Sequence, residues 1–284
     1  MLDRVSKPEL GTARGLLEAM RHKGSFLCVG LDPDPEKIPQ CFGDGVNGME
    51  TFCKAIIDAT SKHAVAFKPN LAFFEQYGAE GWSALSRIIA HMPEDVLCIA
   101  DAKRGDIGNT ASKYAKAMFD GLGADAVTIA PYMGRDSVEP FTAFEGKWTV
   151  LLALTSNASA DDFEFHGDPP LFERVLAQSK QFEHADRLMY VVGATRPDML
   201  QAVRAIVPDA FLLVPGVGAQ GGSLEEVVAH GMNQFCGLLV NSSRGILYAG
   251  GLDCSINEAL AASEQAAADL AKSMRSALAS KGLL

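Results

Sequence analysis

Short apolar runs recur along the chain, each followed by a stretch whose apolar residues return every three or four positions. The runs are Phe26–Gly30, Ala64–Phe67, Val96–Ala100, Ala126–Ala130, Thr149–Leu154, Met189–Val192, Phe211–Val214 and Leu238–Val240. They are continuous rather than alternating and rich in Val, Ile and Leu, as strands covered on both faces are. The periodic stretches, at 49–61, 73–91, 108–121, 171–185, 197–206 and 223–231, predict amphipathic helices. One more helix is expected before the first strand, at about 7–22, and a longer Ala-rich one after the last, at about 256–281.

Strands alternating with helices fit a (β/α)8 TIM barrel or an open doubly wound sheet. Eight strands in 284 residues favour the α/β barrel, which needs roughly 250 residues. The expectation is a single domain over residues 1–284, with the two terminal helices added to the barrel. No linker-like or low-complexity stretch divides it. One polar connection is long, SNASADDFEFHGDPP at Ser156–Pro170, and is a candidate lid or binding loop.

Composition narrows the classes of partner. The chain carries 25 Lys and Arg against 35 Asp and Glu, a net charge of −10. That balance argues against nucleic acid or an anionic membrane as the main partner, but leaves room for a small anion in a local basic pocket. The six cysteines form no C-x-x-C pair and read as thiols of a reducing cytoplasm. No apolar run approaches the ~20 residues of a membrane span, and residues 1–24 mix acid, base and Gly, unlike a signal peptide. The six histidines show no metal-ligand spacing, and no catalytic triad is legible. Trp82 and Trp148 read as packing residues.

In a barrel enzyme the chemistry sits at the C-terminal ends of the strands. Polar groups cluster there in this chain: Asp32 in GLDPDP, Lys68 and Asn70 in KPN, DAKRGD at 101–106, TSN at 155–157, PGVGAQGG at 215–222 and NSSRG at 241–245. Asp101 and Lys103 are two apart, so on a strand they share a face. Buried charges are costly unless paired or bound to a ligand, so the two are expected to need each other or a substrate. Gly105 is expected to supply a sharp turn before Asp106. The Gly-rich run can bring backbone N–H groups close to an anion at a helix start, and Arg244 adds a guanidinium suited to phosphate.

DAKRGDIGNT resembles the D-x-K-x-x-D-I-x-x-T signature of the orotidine 5'-phosphate decarboxylases, and its longer bacterial subgroup in particular. LDPDP, FKPN, PGVGAQGG and NSSRG are similar to that family's strand-1, strand-2, strand-7 and strand-8 motifs. The resemblance implies cofactor-independent decarboxylation of orotidine 5'-phosphate to UMP in de novo pyrimidine biosynthesis, with no metal. It implies that Lys68, Asp101, Lys103 and Asp106 form an alternating charge network, Lys103 stabilising the C6 carbanion and protonating it. It also implies a homodimer with shared active sites, in which Asp106, Ile107 and Thr110 cross to the other subunit. Asp32, with Lys68, would bind ribose hydroxyls. Gln220 and Arg244 would hold the phosphate, and Ser156 and Pro215 would flank the pyrimidine, with Thr155 as the alternative to Ser156. Two departures stand out: Ser243 replaces the commoner Gly before the strand-8 Arg, and Leu154-Thr155-Ser156 stands where many relatives have Glu-Met-Ser.

The residues alone leave two other readings. One is a sugar-phosphate lyase or aldolase barrel using the same DxKxxD segment with a divalent metal. The other is a non-catalytic phosphate-binding barrel, which has no use for a lysine set between aspartates.

Overall fold

The computed structural model describes residues 7–194, 197–217 and 221–284. Eight parallel strands close into a barrel in sequence order: β1 Leu27–Leu31, β2 Ala64–Pro69, β3 Leu97–Arg104, β4 Ala126–Ile129, β5 Trp148–Leu154, β6 Leu188–Val192, β7 Phe211–Pro215 and β8 Leu238–Ser242. The closing seam pairs β1 with β8, Leu27 opposite Val240 and Val29 opposite Ser242. Of the two expected architectures, the barrel is therefore the one formed. Most strand residues are buried, which is why their sequences run apolar without alternation.

Helices α1 Lys7–Leu10 and α2 Ala13–Lys23 precede β1, and α3 Gly45–Thr60 follows it. Then come α4 Ala72–Glu75 and α5 Gly78–His91 after β2, α6 Gly108–Lys116 after β3, and α7 Arg135–Thr142 after β4. After them come α8 Leu171–Ser179, α9 Pro197–Ile206, α10 Leu224–Gly231, the short α11 Arg244–Leu247 and the long α12 Ile256–Ser280. The buried stripe of α12 (Ala259, Ser263, Ala267, Ala271, Met274, Leu278) recurs every three or four residues and is mostly apolar, and Ser255 and Glu258 close its N-terminus with a capping box.

Four helix expectations change. The single helix expected at 7–22 is two, because Gly11 lies against Gly146, whose carbonyl oxygen would stand 2.3 Å from an added Cβ, and Thr12 then caps α2. The stretch 73–91 is likewise split, by Gly78 at φ 57°. The helix expected at 108–121 stays α-helical only to Lys116 and finishes in a π turn at Ala117–Gly121. The helix begun at Leu171 stops at Ser179 rather than running to 185. α7 was not expected at all; Pro140 in its second turn reads as a breaker.

β3 is irregular where it matters most. Its register against β4 shifts between Ala100 and Arg104, and inside that shift Lys103 adopts φ 46°, a left-handed conformation rare outside glycine. The sharp turn expected at Gly105 falls instead on Lys103, and Gly105 is not left-handed. Among the described residues no helix is long and apolar enough to cross a membrane.

Candidate active site

At the C-terminal mouth of the barrel, Asp101 is the hub of the charge cluster. Its Oδ2 accepts from Lys68 Nζ at 2.7 Å, and its Oδ1 accepts from Lys103 Nζ at 2.7 Å. Lys68 and Asp101 are 6% and 9% exposed, whereas the Lys103 side chain is 53% exposed. Burial opposes ionisation of all such groups, but here pairing outweighs it. Despite desolvation, Asp101 and Asp32 push the Lys68 ammonium up to about 12. Despite its own desolvation, Lys68 and Lys103 hold the Asp101 carboxyl well below the usual carboxylate range. Lys68 and Asp101 therefore stand as an ion pair at neutral pH.

A cavity of about 180 Å³ opens beside the trio, lined in part by Asp32, Lys68, Asp101, Pro215, Asn241 and Arg244. Five of the residues expected at a site (Asp32, Lys68, Asp101, Pro215 and Arg244) thus border one space, although they come from the ends of five different strands. Asp32 Oδ1 is buried without a hydrogen-bond partner among the described residues, an acceptor set for a donor. Asn70, beside it in the wall, pairs with Asp101 through a parallel bridge. Arg244 stands at the start of α11, exposed to solvent.

Of the other expected residues, Lys103 reaches Asp101 without itself lining this space, and Asp106, Ile107, Thr110 and Ser156 are not in its lining. Asp106 Oδ1 accepts from the Ile107 N–H, and among the described residues Asp106 forms no ion pair with Lys103. Ile107 is 54% exposed and Thr110 is also exposed. Ser156 follows β5, packed where a Cβ at Gly193 would meet it. Its neighbour Thr155 is engaged elsewhere, its N–H and hydroxyl donating to the two oxygens of Glu164, each at 2.7 Å. Gln220 lies outside the described residues. Of the Gly-rich segment, Gly216 is left-handed at φ 101° and receives the Gly222 N–H at 3.2 Å. Arg104 pairs with Glu75 and lies over the Tyr114 ring, joining β3 to α4 and α6.

Among the side chains that build the site, Tyr248 and Thr128 are not singled out by the sequence, whereas Asn241 and Ser243 belong to the NSSRG strand end. Tyr248 donates to the Asp32 carbonyl at 2.6 Å and accepts from the Asp34 N–H at 2.8 Å, tying the turn after β8 to the turn after β1. Its only sequence signal is its place four residues after Arg244. Asn241 donates to Ser243 Oγ, and Ser243 in turn sits over Gly30, where an added Cβ would lie 1.9 Å from that oxygen. Thr128 in β4 donates to Asp101 Oδ1 at 2.9 Å. Below the cluster, burial pushes the Cys28 thiol up to about 12, against the pull of Lys68, so it stays protonated.

A closed parallel barrel with ionised groups gathered at the C-terminal strand ends defines the class of (β/α)8-barrel enzymes. Comparison with known proteins narrows the class. The Orotidine 5'-phosphate decarboxylase / HUMPS family matches residues 25–254. The chain is 49% identical over 271 residues to the orotidine 5'-phosphate decarboxylase of Bacteroides fragilis, covering 93% of this chain and 99% of that one. It is 51% identical over 279 residues to that of Porphyromonas gingivalis, covering 96% and 100%. The solved structure of Leishmania donovani OMP decarboxylase superposes with a TM-score of 0.81 at 37% identity, covering 94% of this chain and 98% of that one. The chain belongs to the orotidine 5'-phosphate decarboxylase family.

Proposed function

We propose that this chain decarboxylates orotidine 5'-phosphate to UMP, a carboxy-lyase reaction of pyrimidine synthesis, with Lys103 as the group that meets the developing charge. Loss of CO2 from C6 leaves a carbanion in the plane of the ring, outside its π system. Fixed charge is the remaining means of stabilising it. The observation that carries the reading is Asp101 bridging a buried Lys68 and a solvent-facing Lys103 at the mouth. The Lys103 ammonium takes the place vacated by the carboxylate and delivers its proton to C6. Two unit charges ~4 Å apart interact by about 4 kcal/mol at an effective dielectric near 20, a useful share of a large barrier. Asp101 holds the Lys103 side chain in place through their 2.7 Å contact.

Around this centre, Asp32 and Lys68 receive the ribose hydroxyls, Arg244 and Gln220 the phosphate, and Ser156 and Pro215 the pyrimidine. The open acceptor on Asp32 supports the ribose placement. Phosphate binding supplies remote energy for ordering the site. The active unit is a homodimer in which Asp106, Ile107 and Thr110 enter the site of a second copy and add a carboxylate beside Lys103. Exposed apolar side chains after β3 and β4 (Ile107, Tyr114, Tyr132 and Met133) support a covered surface there. Residues 1–284 act as one barrel domain that includes α1, α2 and α12. The setting is cytoplasmic, in keeping with the thiols Cys28, Cys41, Cys53, Cys236 and Cys254, and nucleic acid is not a partner.

The test is the absorbance change of orotidine 5'-phosphate on conversion to UMP, with and without chelator. Turnover unchanged by chelation is expected. No turnover, or turnover abolished by chelator and restored by a divalent metal, would overturn the reading.

A further inference from the structure

The Thr128 side chain is 1% exposed and sits on β4, a strand none of whose residues borders the cavity. A hydroxyl offers one proton and two lone pairs. Thr128 uses both capacities on the same neighbouring segment. Its Oγ1 donates to Asp101 Oδ1 at 2.9 Å and accepts from the Lys103 backbone N–H at 3.0 Å. Asp101 Oδ1 is also the oxygen that receives Lys103 Nζ.

We infer that Thr128 is a positioning residue: through one hydroxyl it sets both the rotation of the Asp101 carboxylate and the left-handed backbone of Lys103. The inference rests on the reading of Lys103 as the catalytic ammonium. A carboxylate's terminal torsion is broad, and two ammonium groups alone leave it free to rock. A third donor on Oδ1 fixes the plane in which Lys103 is held. A non-glycine residue at positive φ is strained and persists only where its surroundings impose it. The hydrogen bond from the Lys103 N–H is one such restraint, and it comes from the same atom. Thr128 touches no reacting atom; it acts through Asp101 and Lys103.

The experiment compares wild type, Thr128→Val, Thr128→Ser and Thr128→Ala by steady-state turnover of orotidine 5'-phosphate and by UMP affinity. The expected result is a kcat lower by about tenfold or more in Thr128→Val and Thr128→Ala, the loss for a hydrogen bond to a charged group. UMP affinity should stay within about threefold of wild type in both, and Thr128→Ser should recover wild-type kcat. Should Thr128→Val not fold, Thr128→Ala against Thr128→Ser decides alone. Wild-type kcat in the variants lacking the hydroxyl overturns the inference. So does a Thr128→Ser variant as slow as Thr128→Ala, which would place the effect in packing. Absence of turnover in the wild-type control sinks the functional reading instead, and is distinguished by that control.

Discussion

At Asp101 one carboxylate serves two ammonium groups and a hydroxyl, and Lys103 owes its position to that arrangement. Replacing Lys103 by Ala removes the exposed member of the cluster and leaves the buried Lys68–Asp101 pair intact. The Lys103→Ala variant is therefore expected to fold and to bind UMP, while its decarboxylation rate falls by at least about a thousandfold. Stopped or steady-state absorbance assays together with UMP titration check this; near-normal turnover would remove Lys103 from its role. The pH dependence of stability follows from the same residues. The folded-state pKa of Asp101 lies below its unfolded value, so its stabilising contribution is present above the ordinary carboxylate range and fades as pH falls below about 4. The Lys68 ammonium is raised, so its contribution holds through neutral pH and fades only as pH climbs toward 12. The stability gap between wild type and Asp101→Asn should accordingly be smaller at pH 3 than at pH 6. Urea unfolding at the two pH values checks it, and a gap that does not narrow would mean that pairing is not what Asp101 contributes.

Among the elements, the loop after β5 is fastened by the carboxylate of Glu164. Glu164 holds both the N–H and the hydroxyl of Thr155, so the far part of the Ser156–Pro170 segment is fastened to the strand end from which Ser156 projects. Glu164→Gln keeps the shape but places an amide donor against one of these two donors. KM for orotidine 5'-phosphate is expected to rise by about tenfold, with a smaller change in kcat. Steady-state kinetics read the split, and an unaltered KM would detach this loop from substrate binding. The same scale explains what the sequence made legible. Strands buried on both faces leave continuous apolar runs, so all eight could be found, and the polar residues that end them could be read as mouth residues. Breaks set by distant contacts left no local trace: the cut at Gly11 is imposed by Gly146, far along the chain. Thr128 was hidden inside an apolar run, where one hydroxyl among Ala126, Val127 and Ile129 reads as part of a strand. The left-handed turn could be foreseen in the segment but not at Lys103, because glycine is the residue that tolerates it freely and Gly105 stood close by.

For the whole molecule, a net charge of −10 coexists with a cavity whose lining includes the cations Lys68 and Arg244. The proposed sharing of sites between two copies can be tested directly. Inactive Lys103→Ala and Asp106→Ala subunits, mixed and verified as heterodimers, should regain part of the wild-type activity, because one of the two sites then holds both residues. No recovery in verified heterodimers would place Asp106 outside its neighbour's site.

The cavity also straddles the seam where the barrel's first and last strands meet, with Asp32 just beyond β1 and Arg244 just beyond β8. A nucleotide gripped at its sugar by one and at its phosphate by the other would act as a clasp across the line along which the barrel closes. Occupancy would then hold together the two strands that lie furthest apart along the chain, so that recognising the substrate and keeping the cylinder shut become one event.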